Sequence, residues 1–586
     1  MKPLLLAGSI VLHLLFMSDV NGGQRSVTEQ QRFRGEGQTG RIAGQVVSED
    51  GQRLSFVEVT AVGVGRSRQG RFVDGTDENG NFEFTELPVG AYALSVRAPG
   101  FVSRRQSSES RYHRTGEAVT LTIVRGGVIT GTVKNASGEG LPHVPVQAIR
   151  VAAPGEDRFD AIDVNRRIRR TDDRGAYRLY GLEPGTYIVC AGGGDLVAPR
   201  GFSKYADDSP TFYPSVTRGG ASELKIQSGE ELSGIDITYR GQQGHSVRGL
   251  VSGKMPQDRN TGVSIALLDA ATGTIQSFLQ YPLRADTPFV FRGVADGVYF
   301  VSARAFSSNP RENGIAQPKE VTVRGTDVLG LNLPLMPMGS ISGRVVLLAR
   351  EGALPQACEE DRKPSLEEVV ISLQRQPTPA TRTLERSTSN AGPDNQGVYT
   401  IYDLTAGLYA ISASLPSSNW FVKSVSLKKG HSSGSKLPES NDVTFDGIEV
   451  HSAMDITGLD FLIGTGAAAV SGRVTSPPGS LLPSQLNAYL VSNEASNNSN
   501  FRLYQTRVHD NGEFEFSNAA PGKYWLLLRA FSDGAAANRA LRFSTLDPQA
   551  RALLRKQANA ANTLLDLKGC QRVSGYSIRY VGSIKN

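Results

Sequence analysis

A chain of 586 residues is too long for one hydrophobic core and suits several domains of roughly 100–150 residues each. Its 64 Gly and 29 Pro, with many Thr, Val and Tyr, favour strands and turns, and 63 Lys plus Arg against 57 Asp plus Glu leave a net charge of +6, too mild over this length to argue for nucleic acid. Only three Cys occur, at 190, 358 and 570; the odd count leaves at least one thiol unpaired, so disulfides are not expected to hold the domains together and each Cys reads as a small buried hydrophobe.

In chain order, residues 1–22 read as an export signal: Lys2 supplies a positive start, Leu4 to Met17 is apolar apart from Ser9 and His13, and Val20-Asn-Gly22 offers small residues for cleavage. A retained anchor is the alternative, although about 20 apolar residues are wanted to span a bilayer. No Cys follows the apolar run, as a lipoprotein site would require, and no later segment is apolar for long enough to cross a membrane. Residues 23–40 are a polar leader rich in Gln, Arg and Gly.

The organising pattern begins at Asp77-Glu-Asn-Gly80. The Asp carboxylate suits the backbone N–H groups of a tight loop and Gly80 supplies the positive φ. Phe82, Phe84, Tyr92, Leu94 and Val96 then fall two apart, on one face of successive strands, with Leu87-Pro-Val-Gly90 as the turn between them. From the loop Gly, an aromatic lies at +2, apolar residues at +4 and +7, Gly at +10 and Tyr at +12. The same offsets recur from Gly175, Gly397 and Gly512, and in a worn copy with Thr287 in the loop position.

A second signature, [Ile/Val]-x-Gly-x-Val, opens each unit at Gly44, Gly131, Gly249, Gly343 and Gly472. A core-facing Gly in a strand is tolerated where another group comes close, and the repeat Tyr is the expected cover. A third, around Gly234, Gly330 and Gly458, closes units 13–15 residues before the next opening Gly. So little linker predicts a semi-stiff string, roughly 130–170 Å long if five sandwiches lie end to end. The domains are expected at 41–125, 126–241, 242–336 (degenerate), 337–464 and 465–586. The last carries a helix at about 547–562, with an Asp547 cap and Pro548 at N1, packed across the sandwich before a closing strand from Tyr576 to Val581.

Together these signatures resemble the carboxypeptidase regulatory-like domain, a transthyretin-like β-sandwich, over nearly all of the mature chain. The whole is similar to secreted bacterial proteins built only of such tandem domains, in which a Tyr-Pro segment like Phe212-Tyr213-Pro214 precedes a Gly-Ile-Asp strand. The resemblance implies an all-β chain of tandem transthyretin-like or Ig-like antiparallel β-sandwiches, mostly seven-stranded, with a non-catalytic accessory role. Related sandwiches belong to a carbohydrate-binding-like fold group, which raises a glycan ligand.

Catalytic and metal motifs are missing from the sequence. None of the seven His has Glu three residues on, as a carboxypeptidase zinc site requires, and neither His-Glu-x-x-His nor Gly-x-Ser-x-Gly occurs. Ser426-x-x-Lys429 and Ser433-x-x-Lys436 match a Ser-Lys spacing without the supporting motifs. Asp77 and Asp172 lack the alternating ligands and distal Glu of a calcium loop. No cofactor is expected. Trp420, Phe421, Trp525 and Tyr213 are the candidates for stacking on a sugar, against the structural reading that aromatics fill sandwich cores and that Trp525 lies under the helix. Arg166, Arg167, Arg169 and Arg170 are the candidates for an anionic polymer, against a solvated loop. Lys134 and Lys254 follow opening strands, where a buried Lys could form an isopeptide bond.

The resulting expectation is an exported scaffold in the periplasm, at the cell surface or outside the cell, with polysaccharide or envelope proteins as partners. A glycan-binding protein, an accessory subunit of a hydrolase or outer-membrane receptor, and a cryptic zinc hydrolase are the alternatives.

Overall fold

The computed structural model describes residues 39–580, apart from 65–69, 104–111, 152–167, 194–203, 254–260, 272–274, 285, 349–357, 359–361, 377–387, 429–442, 477–480, 484–485, 495–498 and 531–547. The expected export signal, nearly all of the expected leader, Arg166, Arg167, Lys254, both Ser-Lys lysines and the expected cap Asp547 lie outside the described residues.

Period-two patterning becomes paired sheets with buried inner faces. In Asn81–Pro88, Phe82, Phe84 and Leu87 are buried while Asn81, Glu83 and Thr85 are exposed. The first sandwich packs the sheet Asn81–Pro88, Thr39–Ser48, Ala118–Arg125, Phe101–Ser103 on the sheet Arg71–Gly75, Glu58–Gly63, Ala91–Arg97, His113–Arg114. Four further cores follow along the chain. In the third, the long strands Gly314–Val323 and Val328–Pro337 pair with each other and join both layers into one seven-stranded sheet. All five are β-sandwiches, antiparallel except where each opening strand meets its closing strand.

The repeated residues have repeated jobs. Asp77 Oδ1 accepts the N–H groups of Asn79 at 2.9 Å and Asn81 at 2.7 Å. Asp172 and Asp394 do the same in their hairpins. Hydrogen bonds from the Asn81 backbone and side chain hold the Asp77 carboxyl below the usual carboxylate range.

The repeat Tyr does not cover the opening Gly. In all five sandwiches its hydroxyl donates to the carbonyl four residues back: Tyr92 to Pro88 (2.6 Å), Tyr187 to Glu183 (2.8 Å), and Tyr299, Tyr409 and Tyr524 to Ala295, Thr405 and Ala520 (each 2.9 Å). A buried hydroxyl needs such a partner, and this one pins the turn that carries the chain from one sheet to the other, much as a tyrosine corner does. Tyr92→Phe is expected to cost about 1 kcal/mol. Hydrogen exchange over residues 84–97 checks this, with roughly fivefold faster exchange than wild type as the expected result.

What crowds the opening Gly is backbone. A Cβ at Gly44, Gly131, Gly249, Gly343 or Gly472 would stand 1.8–2.1 Å from a carbonyl oxygen of the closing strand, at Val119, Ile235, Leu331, Leu459 and Tyr576 respectively. The +2 aromatic closes over the same spot, and where it is Tyr its hydroxyl caps that carbonyl: Tyr177 to Ile235 at 2.5 Å, Tyr399 to Leu459 at 2.6 Å.

The helix Pro548–Ala561 places Leu554 and Ala558 on Tyr489, Val491, Leu503, Trp525 and Leu527, on the outer face of the last sandwich. The closing strand after it is Arg572–Arg579, which starts four residues before the expected Tyr576, and Val581 lies outside the described residues. Lys134 is exposed, which removes it from an isopeptide bond.

Two expectations are corrected. The sandwiches are not a simple string: residues 112–115 of the first hydrogen-bond to residues 368–414 of the fourth, because edge groups there are complementary. Disulfides do join domains: Cys358, in a loop of the fourth sandwich, is bonded to Cys570 of the fifth across 212 residues. Cys190 alone is the free buried hydrophobe, packed with Ile149, Ile188 and Phe212, and burial pushes its thiol up to about 12.

Candidate functional site

Two of the seams between sandwiches are lined by buried polar side chains, among them Arg114, Thr115 and Glu368 at one and Asn419 at the other. The first is built from the two-residue edge strand His113–Arg114, which pairs with Ala91 and Tyr92, and from the short turn Leu366–Glu368 of the fourth sandwich. Ser365 and Glu368 form a capping box on that turn, so the Glu368 carboxylate is aimed inward by its own backbone. Glu368 is 0% exposed. One of its oxygens accepts from the Ser365 N–H at 3.0 Å. The other accepts from the Thr115 hydroxyl at 3.2 Å and pairs with Arg362 Nη1 at 2.5 Å.

Arg114 spans the seam. Its Nη2 donates to Ser414 Oγ at 2.8 Å, its Nη1 to the Tyr112 carbonyl at 3.0 Å, and its Nε to the Glu368 carbonyl at 3.4 Å. Asn390 Nδ2 donates to the Tyr112 hydroxyl at 2.8 Å. Beneath them Ala91, Tyr112 and Val370 form a small apolar floor. Charged groups buried with this many partners fix an orientation and a register more than they add net stability.

The second seam joins the fourth and fifth sandwiches. Beside the disulfide, Asn419 donates to the Cys358 carbonyl at 2.9 Å and accepts from Arg572. Arg502 donates to the carbonyls of Val422 (2.8 Å) and Lys423 (2.9 Å), Asn500 to that of Ile411 (2.6 Å), and Phe501 packs edge-on against Phe461.

Burial removes two sugar-stacking candidates. Trp420 is 5% exposed in the core of the fourth sandwich, and Trp525 is 8% exposed under the helix, where Leu554 and Ala558 occupy the space a sugar would need. Phe421 lies against Gly464, and Tyr213, joined to Pro214 by a cis peptide bond, is half-buried against the core of the second sandwich. Of the basic run, Arg169 stacks on Tyr180, its carbon 4.4 Å from the ring centre, and Arg170 donates to the His143 carbonyl at 3.1 Å. Tyr180 is 50% exposed, so this stack stands at the surface.

Among the described residues no group of three or more His, Cys, Asp or Glu is placed to hold a metal, and no helix is long and apolar enough to cross a membrane. The seam residues were the ones that sequence reading passed over. Ser365-Leu-Glu-Glu368 carries the Ser-x-x-Glu signal of a cap, but nothing local shows that Arg114, some 250 residues earlier, meets it.

Residues 41–124 match the family model of the carboxypeptidase regulatory-like domain, so the chain carries a domain of this family there. No curated protein matches the chain. Among solved structures it is similar to the Bacillus anthracis TIE protein, at 14% identity and TM-score 0.14 over 51% of this chain and 50% of that one. It is similar also to the minor pilin GBS52 of Streptococcus agalactiae (12%, TM-score 0.19, 34% of this chain and 96% of that one) and to the shaft pilin SpaA of Lactobacillus rhamnosus GG (12%, TM-score 0.16, 34% and 98%). The chain spans half the length of the TIE protein.

Proposed function

We propose that this protein is an exported, non-catalytic scaffold whose sandwiches hold one another in a fixed arrangement and present outer faces to polysaccharide or proteins of the cell envelope. The observation that carries this reading is that buried Glu368, Arg114 and Asn419, with half-buried Arg502, hydrogen-bond to other sandwiches. Export is supported by the Lys2 and Leu4 to Met17 pattern and by a disulfide of a kind that persists in oxidising compartments. A glycan site would have to use the outer faces, around Arg169 and Tyr180 or beside Tyr213, since both Trp rings are buried.

The test is incubation of the purified mature chain with envelope polysaccharide, peptide and ester substrates, with metal analysis of the same sample. Saturable retention of an envelope component without product release is the expected result. Turnover of any substrate, with or without stoichiometric zinc, would remove the scaffold reading.

A further inference from the structure

In every sandwich the first strand lies beside the last, and the two run parallel. Ala43 to Ser48 are in register with Ala118 to Ile123. Val128 and Ile129 face Glu231 and Leu232, and Val133 and Lys134 face Ile237 and Thr238. Val247 to Ser252 run beside Val328 to Pro334. Ser340 to Leu347 run beside Asp455 to Ile463, and Ala469 to Thr475 beside Arg572 to Arg579. The chain therefore enters each sandwich at one end of this pair and leaves at the other.

Geometry decides how such a pair answers to a pull. When the ends of a parallel first and last strand are drawn apart, the strands slide past each other along their length, and the ladder bonds between them are loaded together. An antiparallel pair pulled at neighbouring ends opens one bond at a time. The opening Gly adds to the first case: lacking a side chain, it lets a closing-strand carbonyl approach in all five copies, with the +2 aromatic beside it at Gly44, Gly131, Gly249 and Gly472.

We propose that the protein is built to bear tension applied between its two ends, with three graded responses. The seam between the first and fourth sandwiches parts first and releases slack without unfolding a core, because it rests on side-chain hydrogen bonds such as Arg114 to Ser414. The parallel pairs of the sandwiches outside the disulfide yield next, in shear. Residues between Cys358 and Cys570 do not extend, because the disulfide carries the load past 212 residues of chain. A mechanical role deepens the scaffold reading and rests on it for its purpose, but it is measured separately.

The test is single-molecule pulling of the full mature chain in oxidising buffer. Tethered by its two ends, it is expected to show a low-force opening followed by unfolding events at severalfold higher force than when tethered through Arg41→Cys and Glu86→Cys. Those exposed positions lie near the neighbouring ends of the antiparallel pair Thr39–Ser48 and Asn81–Pro88, so that pull unzips it. Adding a reductant is expected to lengthen the fully extended end-tethered chain by roughly 700–760 Å, the reach of the 212 residues released. Equal forces in the two geometries would overturn the shear assignment, and full extension without reductant would overturn the clamp. Either result leaves the scaffold reading standing, since substrate turnover is what tests that.

Discussion

Replacing Cys358 and Cys570 together by alanine is expected to lower the stability of the joined fourth and fifth sandwiches by about 3–5 kcal/mol. The bond closes a loop of 212 residues, near the top of the range in which a crosslink restricts the unfolded chain. Alanine is the suitable replacement: both positions are almost fully buried, so serine would add unpartnered hydroxyls, and Cys570 sits at φ +61°, a strain that alanine shares. The measurement is clean because the only two Trp of the chain, at 420 and 525, are buried one in each of these sandwiches. Denaturant titration followed by Trp emission therefore reads this pair and little else. Separate midpoints for the two sandwiches in the variant, against one in the wild type, would show that the covalent link couples them. An unchanged profile would mean that Asn419, Arg502 and Phe501 suffice without it.

Glu368→Ala is expected to destabilise the first seam by about 3 kcal/mol, the lower end of the 3–5 kcal/mol seen when one partner of a buried ion pair is removed. The lower end applies because the Arg362 side chain is 30% exposed and keeps access to water. The truncation also strips the Ser365 N–H and the Thr115 hydroxyl of their acceptor. Faster hydrogen exchange in residues 112–117 and 366–375, together with a larger radius of gyration in scattering, is the expected outcome. Glu368→Gln, which keeps the shape and the capping acceptor, is expected to restore part of the protection. If neither segment changes its exchange, the seam is held by its apolar floor of Ala91, Tyr112 and Val370 and not by the carboxylate.

The contrast between these seams and the sandwiches shows which physics the sequence carries openly. Strands at Phe82 and Phe84, the hairpin at Asp77, and the helix over Trp525 follow from periods of two and 3.6 and from local turn chemistry, all readable within a dozen residues. The role of Tyr92 was half legible: its spacing placed it in the core, but its hydroxyl bond to Pro88 depends on how the turn folds back. The opening Gly likewise announced a close approach without naming the carbonyl that makes it. Cys358 with Cys570, and Arg114 with Glu368, are pairings across more than 200 residues, decided by how whole sandwiches dock. An odd count of three Cys argued against any reliance on a crosslink, and counting cannot see that one of the three is sealed inside a sandwich of its own.

That sealed thiol bears on how the molecule is made. During synthesis the cysteines emerge in the order 190, 358, 570, so an oxidant meeting exposed thiols in sequence would join the first two and strand the third. The second sandwich is complete once its closing strand Ile237–Thr238 has emerged, more than 100 residues before Cys358 appears. By then Cys190 is packed beneath Phe212, out of reach of the oxidant, and the later pair can find each other without a competitor. Placing each last strand beside the first thus sets a checkpoint at the end of every module, and the order of those checkpoints keeps the wrong bond from forming.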